Sequence, residues 1–371
     1  MSNSAQHDAE IGDTTTALTE RLTALPDAAD GDGRLTELAT EVAALPDRLG
    51  DDADAGVCEG VLDLLSRTAM RLSRAGDAQE SIDLVGRALT LSERVLGPDH
   101  VATLTARNNV AGAHEAAGDP EAAVPLYEAA LADYERVLGA DHADTQILRG
   151  NLAGAYQQTG RPDDAIPLLE AVVAEREKVH PEDHLDVLTS RNNLAYAYRS
   201  AGRAEDAIPL YEAVLAGCER VLGNDHPNTL SSRNNLAAAY EAADRLDDAI
   251  PLHEGTVAGA ERVFGADHPD TLAFRYALAS AYAAAGRFDD AVTAYEATVA
   301  GCERILEPGH PNTLIARNDL ARALGAAGRT DEAFPVAEAV VADSEKELGP
   351  EHPVTGAARE TLGALAQQTR E

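Results

Sequence analysis

Long apolar runs, lysine and cysteine are scarce in this sequence, and each shortage closes a class of functions. No window of the 371 residues approaches the ~18–20 apolar residues that a membrane helix needs. The opening residues, MSNSAQHDAEIGD, lack the basic start and apolar centre of a signal peptide. A cytoplasmic location is therefore expected. Lysine occurs only as Lys178 and Lys346, and neither follows a glycine, which argues against a phosphate-binding P-loop. The three cysteines, Cys58, Cys218 and Cys302, form neither a C-x-x-C nor a metal-ligand spacing. Free thiols fit a reducing compartment. Positive charge is scarce as a whole. Thirty Lys and Arg face 64 Asp and Glu, for a net charge of −34. Such a surface repels nucleic acid and anionic lipid, so neither is an expected partner. No G-x-S-x-G and no H-E-x-x-H occurs. No enzymatic activity, cofactor or metal is expected.

What the sequence has in abundance is itself. DHPNTLSSRNNLAAAY at 225–240 is nearly repeated as DHLDVLTSRNNLAYAY and DHPDTLAFRYALASAY, 42 residues before and after. His100, His142, His184, His226, His268, His310 and His352 keep one phase, and so do Arg107, Arg149, Arg191, Arg233, Arg275, Arg317 and Arg359. A fixed period in the 20–50 residue range means a repeat architecture. Each period resolves into two helices. In the first, Leu230, Arg233, Leu236 and Tyr240 share a helical stripe. A glycine ends it in most copies, at Gly118, Gly160, Gly202, Gly286 and Gly328. In the second, Ala207, Tyr211 and Leu215 form the stripe. Proline recurs near its start, at 125, 167, 209, 251 and 335, where few hydrogen bonds are lost. No stretch shows β-strand alternation. The fold class is all-α. The expected organisation is a disordered acidic tail at 1–12 and a helical cap at 13–57 built as a hairpin around a DGDG turn. Seven tandem repeats follow at 58–352, the first degenerate, and a capping helix at 353–371.

L-A-x-x-Y, then G-R, then A-I-P-L-Y-E resembles the tetratricopeptide repeat. The 42-residue version, with HPxTLxxRNNLAxAY and ERVLGxDHP, is similar to the repeats of kinesin light chain, a type also found in bacteria. The resemblance covers about residues 58–371. It implies a helical-hairpin solenoid, a right-handed superhelix whose first helices line a concave groove. It also implies a groove that binds an extended peptide or a segment of a partner protein. Fold alone does not name the partner.

The asparagine pairs Asn108–Asn109, Asn192–Asn193 and Asn234–Asn235, with the single Asn151 and Asn318, are the foremost site candidates. Asparagine is a poor residue in mid-helix. Its amide donates and accepts at once, so a row of amides would hold a peptide backbone whatever its side chains. The resemblance implies that asparagines at these positions face the groove and do this. The competing reading is hydrogen bonding between neighbouring copies. Arg191, Arg233 and Arg275 stand one residue earlier. They would read carboxylates on a partner, or else pair with the regular row Glu128, Glu170, Glu212, Glu254, Glu296 and Glu338. Phe274 and Tyr276 replace residues that are polar or small in sister copies, marking a candidate specificity pocket. The repeated tyrosines, Tyr127, Tyr156, Tyr198, Tyr211, Tyr240, Tyr282 and Tyr295, are expected in the core. The D-H-P-x-T word is expected where a helix starts, its Asp or His capping or packing there, since single histidines a repeat apart cannot share one ion. His180 and His184 are closer together, but Pro181 interrupts them.

The leading expectation is a non-enzymatic scaffold that binds a partner segment in a groove centred on residues 191–240. One alternative is a regulatory subunit that engages an enzyme through its acidic outer surface. Another is a homo-oligomer formed by stacking of array ends.

Overall fold

The computed structural model describes residues 3–25, 33–307 and 309–368. Its helices run in the order α1 Asn3–Ala24, α2 Arg34–Ala43, α3 Leu45–Arg48, α4 Ala55–Ala75, α5 Ala78–Val95, α6 Val101–Ala116, α7 Pro120–Val137, α8 Ala143–Gln158 and α9 Pro162–Val179. They continue with α10 Leu185–Ser200, α11 Ala204–Leu222, α12 Pro227–Ala242, α13 Leu246–Phe264, α14 Pro269–Ala284, α15 Phe288–Ile305, α16 Pro311–Ala326, α17 Thr330–Glu347 and α18 Pro353–Gln368. No strand occurs among the described residues. The chain divides into two compact units, 1–178 and 179–371.

The histidine word explains where each first helix begins. From His100 to His352, every Nδ1 of the ladder accepts the backbone N–H two residues on, at 3.1–3.3 Å. That N–H is one of the donors a helix start leaves without a partner. Proline follows in four of the seven copies, already suited to the first turn. We expect His226→Ala to lower stability by about 1 kcal/mol, the usual size of a cap. His226→Asn keeps an acceptor and should be nearly neutral in urea titration.

Turn glycines end the first helices. Gly202 and Gly286 have φ of 73° and 71°, and Asp244 takes the same place with φ 59°. It is the one non-glycine with positive φ among the described residues. A Cβ is unfavourable there. Asp244→Gly should therefore raise stability by roughly 0.5–1 kcal/mol, read as a higher urea midpoint. An unchanged or lower midpoint would contradict this account of the turn.

First and second helices meet through leucine and glycine. A Cβ added at Gly217, Gly259 or Gly301 would lie 2.6, 2.6 or 2.3 Å from the Cδ2 of Leu188, Leu230 or Leu272. The missing side chain is what lets α11, α13 and α15 approach α10, α12 and α14. In the second unit Ile208, Tyr211, Leu236 and Tyr240 share one buried cluster, and Tyr295, Leu320, Leu324 and Leu365 share another. Tyr127 and Tyr156 are buried in the first unit, whereas Tyr198 and Tyr282 are only half-buried.

The N-terminal region departs from expectation. Residues 3–12 are not a disordered tail but the start of α1. Ile11, Leu18 and Leu22 form a helical stripe buried in one core with Val61, Leu65 and Leu72 of α4. The start of α1 is also tied down. His7 Nε2 lies 2.8 Å from the Arg48 carbonyl, and Asp8 accepts the Asp54 N–H at 3.2 Å. Burial of the stripe outweighs the polar composition that suggested disorder. Of the expected DGDG turn, residues 30–32 lie outside the described residues, as do Met1 and Ser2.

Candidate functional site

The asparagine row is built by a bond repeated between neighbouring first helices. Asn151 Nδ2 donates to Asn108 Oδ1 at 3.1 Å, and Asn235 Nδ2 donates to Asn192 Oδ1 at 3.0 Å. Asn109 Nδ2 reaches Ser66 Oγ at 3.3 Å. The second amide of one copy thus donates to the first amide of the copy before. This is the bonding between copies that competed with ligand contact, and it engages one end of each amide. Two amide oxygens of the row are left without a donor. Ala277 supplies no donor, and Asn234 Oδ1 is buried without a partner. Thr361 turns its hydroxyl to the Ala357 carbonyl, and Asn318 Oδ1 is likewise left alone. Asn193 is exposed.

At one step the amide couple is exchanged for a charged one. Tyr276 Oη donates to Asp319 Oδ2, across the spacing that joins Asn192 to Asn235. Burial, then the bond to Asp319, pushes the Tyr276 phenol up, so it stays a neutral donor. Asp319 also holds Arg322 Nη1 at 3.1 Å.

The arginine ladder does not pair with the expected glutamate row. Arg107, Arg149, Arg233, Arg275, Arg317 and Arg359 bind Glu93, Glu135, Glu219, Glu261, Glu303 and Glu345, the acids of the ERVLG word. The second helix carries both rows. Only its C-terminal end lies beside the arginine, because this helix and the first helix of the next copy run antiparallel. Arg275 is the most buried of these, its side chain 9% exposed. Arg191 is half-buried in α10. The other row serves the tyrosines. Tyr156, Tyr240 and Tyr282 donate to Glu128, Glu212 and Glu254 at 2.7, 2.6 and 2.7 Å. Arg161, Arg245 and Arg287 lie over the same rings at 4.4, 4.4 and 4.3 Å from the centroid. The bond to Glu212, with burial, pushes the Tyr240 phenol up to about 12. These arginines and glutamates link neighbouring helices.

The three cysteines are free and buried. Burial pushes Cys58 up to about 11 and Cys302 up from its ordinary value. His180, His184 and Asp186 bring three donor atoms within 4.8 Å, and the two rings stack at 4.0 Å. His184 Nδ1 is already the acceptor for the Asp186 N–H at 3.2 Å. The cluster also sits at the positive end of α10, which opposes a cation.

Three cavities open along the first helices of the second unit. One of about 200 Å³ lies between α10, α11 and α12, lined by Leu188, Asn192, Cys218, Asn228, Ser231, Ser232 and Asn235. A second, of about 470 Å³, lies between α14, α15 and α16. It repeats the first two copies later. Leu272, Cys302 and Asn312 match Leu188, Cys218 and Asn228, while Tyr276, Ile315 and Ala316 replace Asn192, Ser231 and Ser232. The third holds about 900 Å³ between α14, α16 and α18, with Phe288 and Tyr295 of α15. Tyr276 is a wall of both larger cavities. Phe274 instead packs against a buried cluster with Ile250 and Leu278. The largest of these three openings therefore lies C-terminal to the expected centre at 191–240. Of the two departures at 274 and 276, Tyr276 lines two of the three and Phe274 lines none of them.

The tetratricopeptide repeat profile matches residues 61–136, 113–178, 143–219, 186–254, 233–304 and 273–345. The chain belongs to the tetratricopeptide repeat family. Among solved structures it is similar to the nearly identical TPR-like repeats of a kinesin light chain from Podosopora anserina. The identity is 36%, over 55% of this chain and 97% of that one, with a TM-score of 0.52. The repeats are thus of the kinesin light chain-like type. A tetratricopeptide repeat protein from Parabacteroides merdae is 14% identical over 82% of this chain and 98% of its own, with a TM-score of 0.56, and shares the fold alone. No curated protein matches the sequence. Tetratricopeptide repeat proteins bind protein partners, and this fold is that of an interaction scaffold. No helix of the described residues is long and apolar enough to cross a membrane.

Proposed function

We propose that this protein is a non-enzymatic scaffold that holds an extended segment of a partner protein along the first helices of its second unit. One observation carries the reading. The cavity beside Asn192 and Asn235 recurs at the same repeat positions beside Tyr276, with its chemistry changed from polar to apolar. Repetition alone would give two like cavities, so the reading rests on the departures at 276, 315 and 316, which suit a surface that reads successive parts of one segment. First helices stack about 8–10 Å apart. An extended chain advances about 3.3 Å per residue, so roughly six residues separate the two contacts. Asn192 Nδ2 and Asn235 Oδ1 would meet the segment's backbone, and Tyr276 a side chain.

The test is capture from native lysate by wild type and by Asn192→Ala, Asn235→Ala and Tyr276→Ala combined. The variant is first shown to be folded by circular dichroism. The reading expects a protein retained by wild type and lost from the variant. Retention by both, with release at high salt, would move the site to the acidic outer surface, because exposed charge pairs are screened.

A further inference from the structure

The cavity of about 900 Å³ carries a more specific chemistry, which rests on the reading of the first-helix face as a peptide site. We infer that the space between α14, α16 and α18 receives a basic side chain, lysine or arginine, of the bound segment, with Asp319 as its counter-ion.

Four observations lead there. Asp319 is the one carboxylate at its phase of the repeat, where other copies carry Asn109, Asn151, Asn193, Asn235, Ala277 and Thr361. It is set into the wall of a cavity of about 900 Å³, large enough for a long side chain. Its side chain is only 16% exposed, yet the cation it holds, Arg322, is 68% exposed and bound through one contact at 3.1 Å. An exposed pair of this kind contributes little, so an incoming ammonium or guanidinium replaces or joins Arg322 at small expense. A carboxylate offers about four acceptor directions, and Tyr276 and Arg322 take one each.

Asn318 adds the fourth point. It lines the same cavity, is only 7% exposed, and its Oδ1 has no partner. An acceptor left unpaired in a wall calls for a donor, and both basic side chains carry several N–H groups. The Tyr276 ring supplies an aromatic wall of the kind that attracts cations. Glu360 at the rim adds negative charge, as does the chain's net charge of −34. An acidic segment would meet Asp319 and Glu360 with like charge, and an apolar one would leave Asp319 and Asn318 unanswered.

The test uses the full chain and immobilised acetylated peptide amides, a positional library in which each site is fixed in turn. Wild type should retain pools with fixed Lys or Arg at one position over pools with Gln or Glu. Asp319→Asn restores the amide that sister copies carry and keeps an acceptor for Tyr276. It should fold normally and lose that preference by about tenfold or more, the scale of one charge-assisted contact. Asn318→Ala should weaken the same pools without lowering Tm, because it removes an unpaired buried acceptor. Peptides retained with no basic preference, or with a preference that Asp319→Asn leaves intact, would overturn the inference and leave the groove reading standing. No peptide retained at all would remove both. Free agmatine binding as tightly as the peptides would overturn the segment as the source of the cation.

Discussion

Leu230→Ala should lower the stability of the second unit by about 2–5 kcal/mol, and Gly259→Leu should partly restore it. Leu230 is fully buried, and a Cβ on Gly259 would meet its Cδ2 at 2.6 Å. Truncating such a leucine loses transfer energy and leaves a cavity. Gly259→Leu alone overpacks the same space and should cost about 1–3 kcal/mol despite the better helix propensity of leucine. Together the two changes exchange which helix supplies the side chain. The double variant should be more stable than the sum of the singles by about 0.5–3 kcal/mol. The measurement is the urea midpoint of the four proteins. Strict additivity would show that the leucine–glycine contact does not set the spacing of the two helices.

The second large effect is on binding. Against a captured partner, the Asn192, Asn235 and Tyr276 triple alanine variant should lose roughly 100-fold or more in affinity. Each buried amide contact is worth about 1–3 kcal/mol when its partner is left unpaired, and a central aromatic anchor 2 kcal/mol or more. Titration of wild type and variant at two salt concentrations measures this. The loss should be nearly the same at both, because amide and apolar contacts carry no net charge. A loss that vanishes at high salt would mean that charge on the outer surface dominates.

Much of the fold was legible because a repeat states each structural rule several times. Seven histidines at one phase marked helix starts where Asp or His could cap or pack, and seven Nδ1 atoms accept an N–H in the way a cap requires. Periodicity misled where two rows share one helix. The arginines had two glutamate rows to choose from. Helix direction decides that Glu219 and Glu261, not Glu212 and Glu254, lie within reach of Arg233 and Arg275. The start of α1 was hidden because its three buried apolar residues, Ile11, Leu18 and Leu22, are diluted among threonines and acids.

The site was legible only as a departure from the pattern. Tyr276 stood out beside its sisters. Asp319 did not, because asparagine and aspartate look alike until Tyr276 is seen to donate to it. The unpartnered Asn234 and Asn318 follow from residues one repeat later, Ala277 and Thr361, which are unremarkable by themselves. Three-dimensional neighbours turned those small changes into a gap in the row and a cavity beside it.

The central claim is that the partner lies against first helices. It is tested most directly by a photo-reactive benzoyl-phenylalanine placed at Ile315, which lines the 470 Å³ cavity, and separately at Ala297, exposed on the second helix α15. After irradiation in native lysate, the account predicts a partner adduct from position 315 and none from 297. An adduct from 297 with none from 315 would contradict it.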